Sequence, residues 1–504
     1  MELLMQQEQE NGHNPSIYSI YHEIARLQLA QKGGKEEDYK CFVEENFRKS
    51  IEYIYSRADC FDFVLPGFIF MLTHFANSPL LPQNLAEEAK EMILSCKYWI
   101  DEGGWEKSPC YFTENHQILF HSNEYMAGQL YPDEVFKNNK KTGRWHMKHA
   151  RPLIIKWLEW RFRFGFCEWL SNTYYHEDLL ALAPLTQAED EEIRTKAAMV
   201  IDLIFFDMAL NSYKGVFGST HGRAYCSNIC NLDDGSTTAR SLFLHVGNQP
   251  LTLSPAAVLL VAIDYRVAEP ILESAHNVNL GENKQSMSLD PEEGWALGVD
   301  PSDPENLGMY WGMQAFGHRM VVDNTLAVKA NPDYYLMDRA RACKEHFLLC
   351  DAAGTVTDSD IDYTSMPKVN IYTYKTSDYM LSCAQDFKKG RFGFQQHIWQ
   401  ASLGGKAIVF TNHPATLEYN DRPNCWAGNR ILPKAVANKN VLICLYNTPV
   451  SMVPTFTYST HAYFPQEFMD EVVENNSWYF GRKDNGYVAI RPISGKTAWI
   501  DPDP

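Results

Sequence analysis

The sequence predicts two unlike parts: an (α/α) toroid, an incomplete barrel of helical hairpins, over residues 39–350, then an antiparallel β-sandwich over 368–504. Three observations carry this expectation. At 504 residues the chain exceeds the roughly 250–300 at which a single hydrophobic core stops growing. Apolar residues recur at three-to-four spacing as far as Leu349, whereas beyond Asp351 the pattern becomes alternation in β-branched and aromatic residues. Two long loops, 103–114 and 216–251, favour hairpins closing round a cleft over an open solenoid, because loops of that length in a compact domain tend to be functional.

Taken in order, residues 1–38 read as an N-terminal extension, and helix starts are predicted near 39, 84, 152, 188, 255 and 332. Asn84 with Glu87 makes a capping-box signature, as does Thr186 with Glu189. Ser254-Pro255 places a cap residue before a first-turn proline, and Arg151-Pro152 opens a helix in the same way, ending near Leu170. A further helical stretch follows Asn115-His116 over 118–130. The Asp-, Thr- and Ser-rich segment 351–367 is the predicted linker. Strands follow at 369–374, 393–402, 406–411, 441–446 and 487–493, with turns at Gly404-Gly405 and Asp484-Asn485-Gly486.

Composition narrows the function classes. Hydrophobic residues at 45% and charged residues at 21% are ordinary for a folded protein. Forty-five Lys and Arg against 63 Asp and Glu leave a formal charge of −18, which repels nucleic acid, so no nucleic-acid partner is expected. One basic stripe interrupts this: residues 140–163 hold eight Lys/Arg, including Arg144, against the single acid Glu159. It reads either as a solvated helix face or as a funnel for a small polyanion. Twelve scattered cysteines lack the spacing of a disulfide scaffold and are expected to be mostly reduced. The polar N-terminus shows no apolar leader core, and no run approaches the ~18 apolar residues of a membrane span. A cytoplasmic protein without membrane contact is the expectation, a secreted or periplasmic one if a leader has been removed; self-association stays open.

The chemistry-bearing residues are Asn115-His116, then Glu168, Asn172 and His176, then Tyr213, His221, Arg223 and Tyr225. They supply an amide, imidazoles, a carboxylate, a guanidinium and phenols. Eliminating across a uronic acid needs a neutraliser for the substrate carboxylate, a base for the adjacent C–H and an acid for the departing glycosidic oxygen. Asn, His and Arg donors serve the first need, and Tyr or His the others. A phenol with a reference pKa of about 10 is a poor base at neutral pH, but a neighbouring guanidinium favours its phenolate. Arg223 is two residues from Tyr225, in the loop 213–225 whose glycines flank His221. Glu168, Asn172 and His176 fall four apart and share a face if a helix runs through them. The plain alternatives are a cap for Asn115, a packed His116 and a solvated polar face for the 168–176 set. Of Trp145, Trp157, Trp160, Trp169 and Trp311, only Trp145, in the basic stripe, is read as a face for a sugar ring; the others read as core.

These residues, with the helical-then-β order, resemble the polysaccharide lyases of the alginate, glucuronan, chondroitin and heparin type. The C-terminal part adds Ser377-Asp378-Tyr379-Met380-Leu381-Ser382, Gly393 to Gln400, Phe410-Thr411-Asn412-His413-Pro414 and Trp426-Ala427-Gly428-Asn429, similar to the sandwich of heparinase II/III-like proteins. The resemblance implies cleavage of an anionic, uronate-containing oligosaccharide or polysaccharide by β-elimination, metal-independent or assisted by a divalent metal, with no other cofactor. It implies that Asn115 with His116, or His176 oriented by Glu168, neutralises the carboxylate, and that Tyr225 or Tyr213 with His221 moves protons beside Arg223.

Two other classes fit the composition. A glycoside hydrolase would need two carboxylates, for which Glu114, Glu124, Glu168 and Asp207 are candidates. A carbohydrate-binding protein would need none. Metal signals are sparse: Cys226 and Cys230 lack a second pair at zinc-finger spacing, and His397 and His413 read as packed side chains before metal ligands, with His413 also counted among the substrate-binding candidates beside Asn115, His116, Glu168, Asn172, Arg144 and Trp145. No glycine-rich phosphate loop is present.

Overall fold

Helices form where the apolar spacing demands them, but their ends are set by side chains other than those the sequence singles out. The computed structural model describes residues 14–33, 42–104, 109–230, 254–330, 334–355, 366–387, 395–413, 432–447 and 459–499. Its helices are α1 (Ile20–Lys32), α2 (Glu44–Tyr55), α3 (Leu65–Phe75), α4 (Gln83–Ile93), α5 (Glu114–Leu130), α6 (Gly143–Phe164) and α7 (Tyr175–Leu185). They continue with α8 (Glu191–Leu210), α9 (Cys226–Cys230), α10 (Pro255–Ala262), α11 (Glu269–His276), α12 (Leu307–Gly312), α13 (Val322–Ala327) and α14 (Tyr335–Ala353).

Three predicted starts move. Thr186 closes α7 instead of opening α8, its hydroxyl donating to Ala183 O, and Asp190 caps α8 by accepting from Ile193 N at 3.1 Å. Pro152 lies inside α6, which begins nine residues earlier behind the cap Thr142 and ends at Phe164, not Leu170. Burial of Ile154, Trp157, Leu158 and Trp160 carries that helix through the missing proline N–H. Asn84 sits within the first turn of α4, whose N-cap is Pro82. Ser254 does cap α10, its hydroxyl accepting from Ala257 N. Helix α1, inside the segment read as an extension, buries Ile20, Tyr21, Ile24 and Leu27.

Helices α3, α5, α7 and α10 are buried on almost every side, whereas α2, α4, α6 and α8 bury one stripe. The buried set packs in succession: α1 on α3, α3 on α5, α5 on α7, α7 on α10, and α10 back on α1. Helix α5 is unusual among them because it is polar as well as buried, with Glu114, Asn115, His116, Gln117, His121, Asn123 and Glu124 all withdrawn from solvent. Such a helix must find partners for its polar groups. Ser122 donates to Ala181 O on α7, and Asn123 to Asp62 O.

Where α5 meets α6 the backbones touch. A Cβ on Gly143 would lie 2.2 Å from Tyr131 O and 2.7 Å from Gly128 O, both rigid backbone atoms. Gly143→Ala is expected to be destabilising by at least the 1–3 kcal/mol typical of overpacking, read as a drop in the urea midpoint.

The C-terminal part is sheet-rich. A six-stranded antiparallel sheet runs β10-β7-β6-β5-β4-β3, with β4 (Val369–Lys375), β5 (Met380–Gln385), β6 (Trp399–Ser402), β7 (Ile408–Asn412) and β10 (His461–Tyr463). Its edge strand β3 (Gly281–Met287) comes from the part expected to be wholly helical, pairing Gly281 with Lys375 and Met287 with Val369. That correction has a simple cause. Gly-Glu-Asn-Lys-Gln-Ser-Met carries no apolar alternation, so its strand conformation follows from the open ladder of β4. A hairpin of β8 (Lys434–Asn438) and β9 (Val441–Leu445) packs on β5, Asp386 N donating to Ala435 O. A three-stranded meander of β11 (Glu471–Asn475), β12 (Trp478–Lys483) and β13 (Gly486–Ile490) follows. The remaining pair, β1 (Ser212–Tyr213) and β2 (Val216–Phe217), follows α8.

One apolar core joins the two parts: Phe166 and Trp169 belong to the same buried cluster as Met287, Ile371, Phe387 and Trp399. Much of the 216–251 loop, residues 356–365 of the linker, Gly393, Pro414 and 426–429 lie outside the described residues.

Candidate functional site

Between α6 and α7 the chain leaves helix. Gly165 has φ +65° and Leu170 φ +46°, so 165–174 is an irregular strap, and Glu168, Asn172 and His176 share no helical face. Glu114, in the first turn of α5, fixes the strap: its two oxygens accept from Cys167 N at 2.9 Å and Glu168 N at 2.7 Å, and Arg161 pairs with it. A second strap, 219–225, is laced to the first and to the sheet. Gly222 N donates to Trp169 O at 2.7 Å, Ser171 Oγ donates to Arg223 O, and Ala224 N donates to Gln395 O. His221 and His397 exchange backbone hydrogen bonds at 2.9 and 2.8 Å. Gly222 is required here, because a Cβ would stand 2.5 Å from the Trp169 ring.

This lacing brings Arg223 between three groups. Its Nε donates to Glu168 Oε1 at 2.8 Å, Nη1 to Gln395 Oε1, and its guanidinium carbon lies 5.7 Å from the centre of the Tyr174 ring. Tyr174 and Tyr225 share a hydroxyl–hydroxyl bond of 2.7 Å. Burial pushes the Tyr174 phenol well above its ordinary pKa, and Arg223 pulls the other way. Glu168 is buried, and among the described residues its Oε2 has no hydrogen-bond partner. Asp178, on α7, is also buried; burial first and the Glu168 charge second hold its carboxyl proton-bearing well above the usual range. Asn172 borders the cluster through Asn228 O, 3.2 Å from its amide.

Other predicted residues lie apart. His176 is half-buried and pairs with Glu177 at 3.0 Å, so Glu168 orients Arg223 and not His176. Tyr213 donates to Ser377 O at 2.9 Å on the sheet side, beneath Lys214. Arg144 is exposed and pairs with Asp133. Trp145 lies flat against His149, 4.8 Å between centroids, so one face is already covered. Trp157, Trp160, Trp169 and Trp311 are buried, in keeping with their reading as core. His413 is buried at the end of β7 beside Thr460.

Asn115 and His116 open α5 behind Thr113, which is the N-cap in place of Asn115. Asn115 Oδ1 accepts from Thr113 Oγ1 at 2.6 Å, and its Nδ2 is buried with no partner among the described residues. His116 Nδ1 meets Asp62 Oδ2 at 2.7 Å, and its ring stacks on Phe63. Burial pushes the His116 pKa down, but the Asp62 carboxylate outweighs it and holds the ring protonated well above the ordinary histidine value.

His221 behaves oppositely. Its Nδ1 faces Leu170 O, an arrangement that makes Nδ1 the protonated nitrogen, and Nε2 has no partner among the described residues. Burial and then the neighbouring His397 lower its pKa to about 3; burial lowers that of His397 to about 4. Both rings are neutral in the folded state and titrate near 6.5 when unfolded. The stability they contribute is present above about pH 6.5 and is lost as pH falls toward their folded values, about 1.4 kcal/mol per pH unit for each ring. Urea midpoints measured from pH 7 to 4 should therefore fall less steeply for His397→Gln than for the wild type. An unchanged slope would contradict a neutral His397.

Three of the four carboxylates proposed for hydrolysis, all but Glu168, are committed elsewhere. Glu114 holds the strap, Glu124 Oε1 faces His146 and His149 at 2.8 and 2.9 Å, and Asp207, its pKa raised to about 7 by burial, accepts from Gln285 on β3. Tyr174, Asp178, Gln395 and Asp62 are the site residues that sequence reasoning passed over. Asp178 alone left a sequence signal, an acid opening the otherwise apolar run Leu179-Leu180-Ala181-Leu182-Ala183.

No protein family, no curated protein and no solved structure matches this chain.

Proposed function

We propose that this protein is a polysaccharide or oligosaccharide lyase that cleaves a uronate-containing glycan by β-elimination, with its cleft in an (α/α) toroid beside an antiparallel β-sandwich. The closed packing succession from α1 through α3, α5, α7 and α10 back to α1 supports the toroid. The hairpin β8–β9 packed on β5 supports the sandwich. The observation that carries the chemistry is Arg223, held by Glu168 and Gln395 against the Tyr174–Tyr225 phenol pair.

In this reading Arg223 draws charge from the substrate carboxylate, making the adjacent C–H acidic, and Asn115 Nδ2, without a partner among the described residues, is assigned the same task. The phenolic oxygen of Tyr225, as the base, takes that proton; the electron pair forms the new C=C bond; the C–O bond to the leaving sugar breaks, and its oxygen takes a proton from an acid. Tyr225 is preferred to Tyr213 because the Tyr213 hydroxyl is engaged by Ser377 O. The neutral ring of His221 positions the strap through Leu170 O. The acid is Tyr174 or the proton-bearing Asp178.

Alginate, glucuronan, hyaluronan, heparin and pectin fragments provide the test. Far-ultraviolet absorbance should rise with at least one, reporting the unsaturated uronate. A second reading, hydrolysis, is favoured by one feature only, the proton-bearing Asp178 beside the charged Glu168. Release of reducing ends from neutral glycans, with no absorbance rise from any uronate, would select it.

A further inference from the structure

The surroundings of His116 suit a metal ion, whether or not the protein is a lyase. A carboxylate oxygen of Asp59, Cys60 Sγ and a ring nitrogen of His116 all lie within 4.8 Å of one another. They come from two places, the turn before Phe61–Phe63 and the first turn of α5, and each is already oriented by other contacts. Asp59 Oδ1 accepts from Cys60 N at 3.1 Å and Cys110 N at 2.9 Å, which leaves its second oxygen for a ligand. Cys60 adopts φ +67°, a left-handed conformation uncommon for any residue but glycine and one that tends to mark functional positions. His116 is pinned by Phe63 and gives Nδ1 to Asp62. With Nδ1 so engaged, Nε2 is the nitrogen left toward Cys60, and an ion bound there would take the place of the proton that the ring carries without it.

A carboxylate behind a ligating imidazole is the usual outer partner of zinc-bound histidine, fixing its tautomer and raising its basicity. Asp62 is fully buried, as such a partner would be, and among the described residues its Oδ1 has no hydrogen-bond partner. We propose that Asp59, Cys60 and His116 bind a zinc ion, with Asp62 orienting His116. One thiolate, one imidazole and one carboxylate form a borderline-soft set that favours zinc over magnesium or calcium, and three protein donors leave the fourth tetrahedral position open. An open position is the mark of a zinc that binds a water or a substrate oxygen. In the lyase reading, His116 would then act on the substrate through the ion. A second triad, Glu102, Glu124 and His146, is equally close but differs in one respect. Both His146 nitrogens are taken, by Glu124 at 2.8 Å and Asn139 at 3.2 Å, so no lone pair is left for a cation.

The full-length protein, stripped with a chelator, is titrated with zinc against a chromophoric competitor and, separately, with cobalt. One zinc per chain at sub-micromolar affinity is expected, and the cobalt form should show a thiolate-to-metal charge-transfer band. Cys60→Ser should abolish that band, and Asp62→Asn should weaken zinc binding about 10- to 100-fold. Cys226→Ser should leave both unchanged; it tests the competing thiol pair, whose sulfurs lie 4.0 Å apart. The wild type gives a measurement free of folding artefacts: zinc should protect Cys60 from alkylation, located by peptide mass mapping. Absence of stoichiometric zinc, a charge-transfer band lost in Cys226→Ser but kept in Cys60→Ser, or Cys60 alkylated equally with and without zinc would each overturn the proposal.

Discussion

Arg223→Met is expected to destabilise the protein by about 3–5 kcal/mol and, under the proposed lyase function, to abolish elimination. The side chain is 13% exposed between the two straps, and its removal leaves the buried Glu168 carboxylate without its ion-pair partner. Removing one partner of a buried pair is far more costly than the pair itself is stabilising, because the remaining charge stays desolvated. Glu168→Gln should therefore be milder than Arg223→Met, and the double variant should recover part of the loss. Urea unfolding of the three variants checks this. If the effects simply add, Arg223 and Glu168 are not coupled and the description of the cluster fails.

Tyr225→Phe should separate catalysis from folding. Only one hydroxyl is lost, from a partly buried bond to Tyr174, so stability should change by no more than about 1.5 kcal/mol. Loss of a positioned proton-transfer group typically lowers turnover by roughly 10²- to 10⁴-fold. Tyr213→Phe, which removes a bond to Ser377 O, should leave turnover nearly unchanged. Equal losses in the two variants would return the catalytic phenol to the open choice that the sequence allows.

The sequence revealed the helical-then-β order because periodicity is a local property, and it revealed Ser254 as a cap for the same reason. It misplaced Thr186 and Pro152 because several residues in each stretch satisfy cap rules, and packing chooses among them. Strand β3 was illegible since nothing in its side chains distinguishes it; its partner lies almost a hundred residues further along the chain. The site divides similarly. Glu168, Arg223 and Tyr225 could be picked out by chemical type. Their grouping with Gln395, 172 residues from Arg223, depends on the pairing of His221 with His397, which no spacing encodes. The 168–176 set failed for a local reason, the left-handed Gly165 and Leu170 that end helical continuity.

Strand β3 also bears on how the protein can be made. During synthesis the segment Gly281–Met287 emerges long before Val369–Lys375, so its backbone donors and acceptors await a mate that the ribosome has yet to produce. Its Glu, Asn, Lys and Gln side chains keep that waiting edge hydrated and unattractive to neighbouring chains. Any truncation at the boundary between the helical and sheet-rich parts would strand β3 permanently or uncover β4, and the product is expected to aggregate.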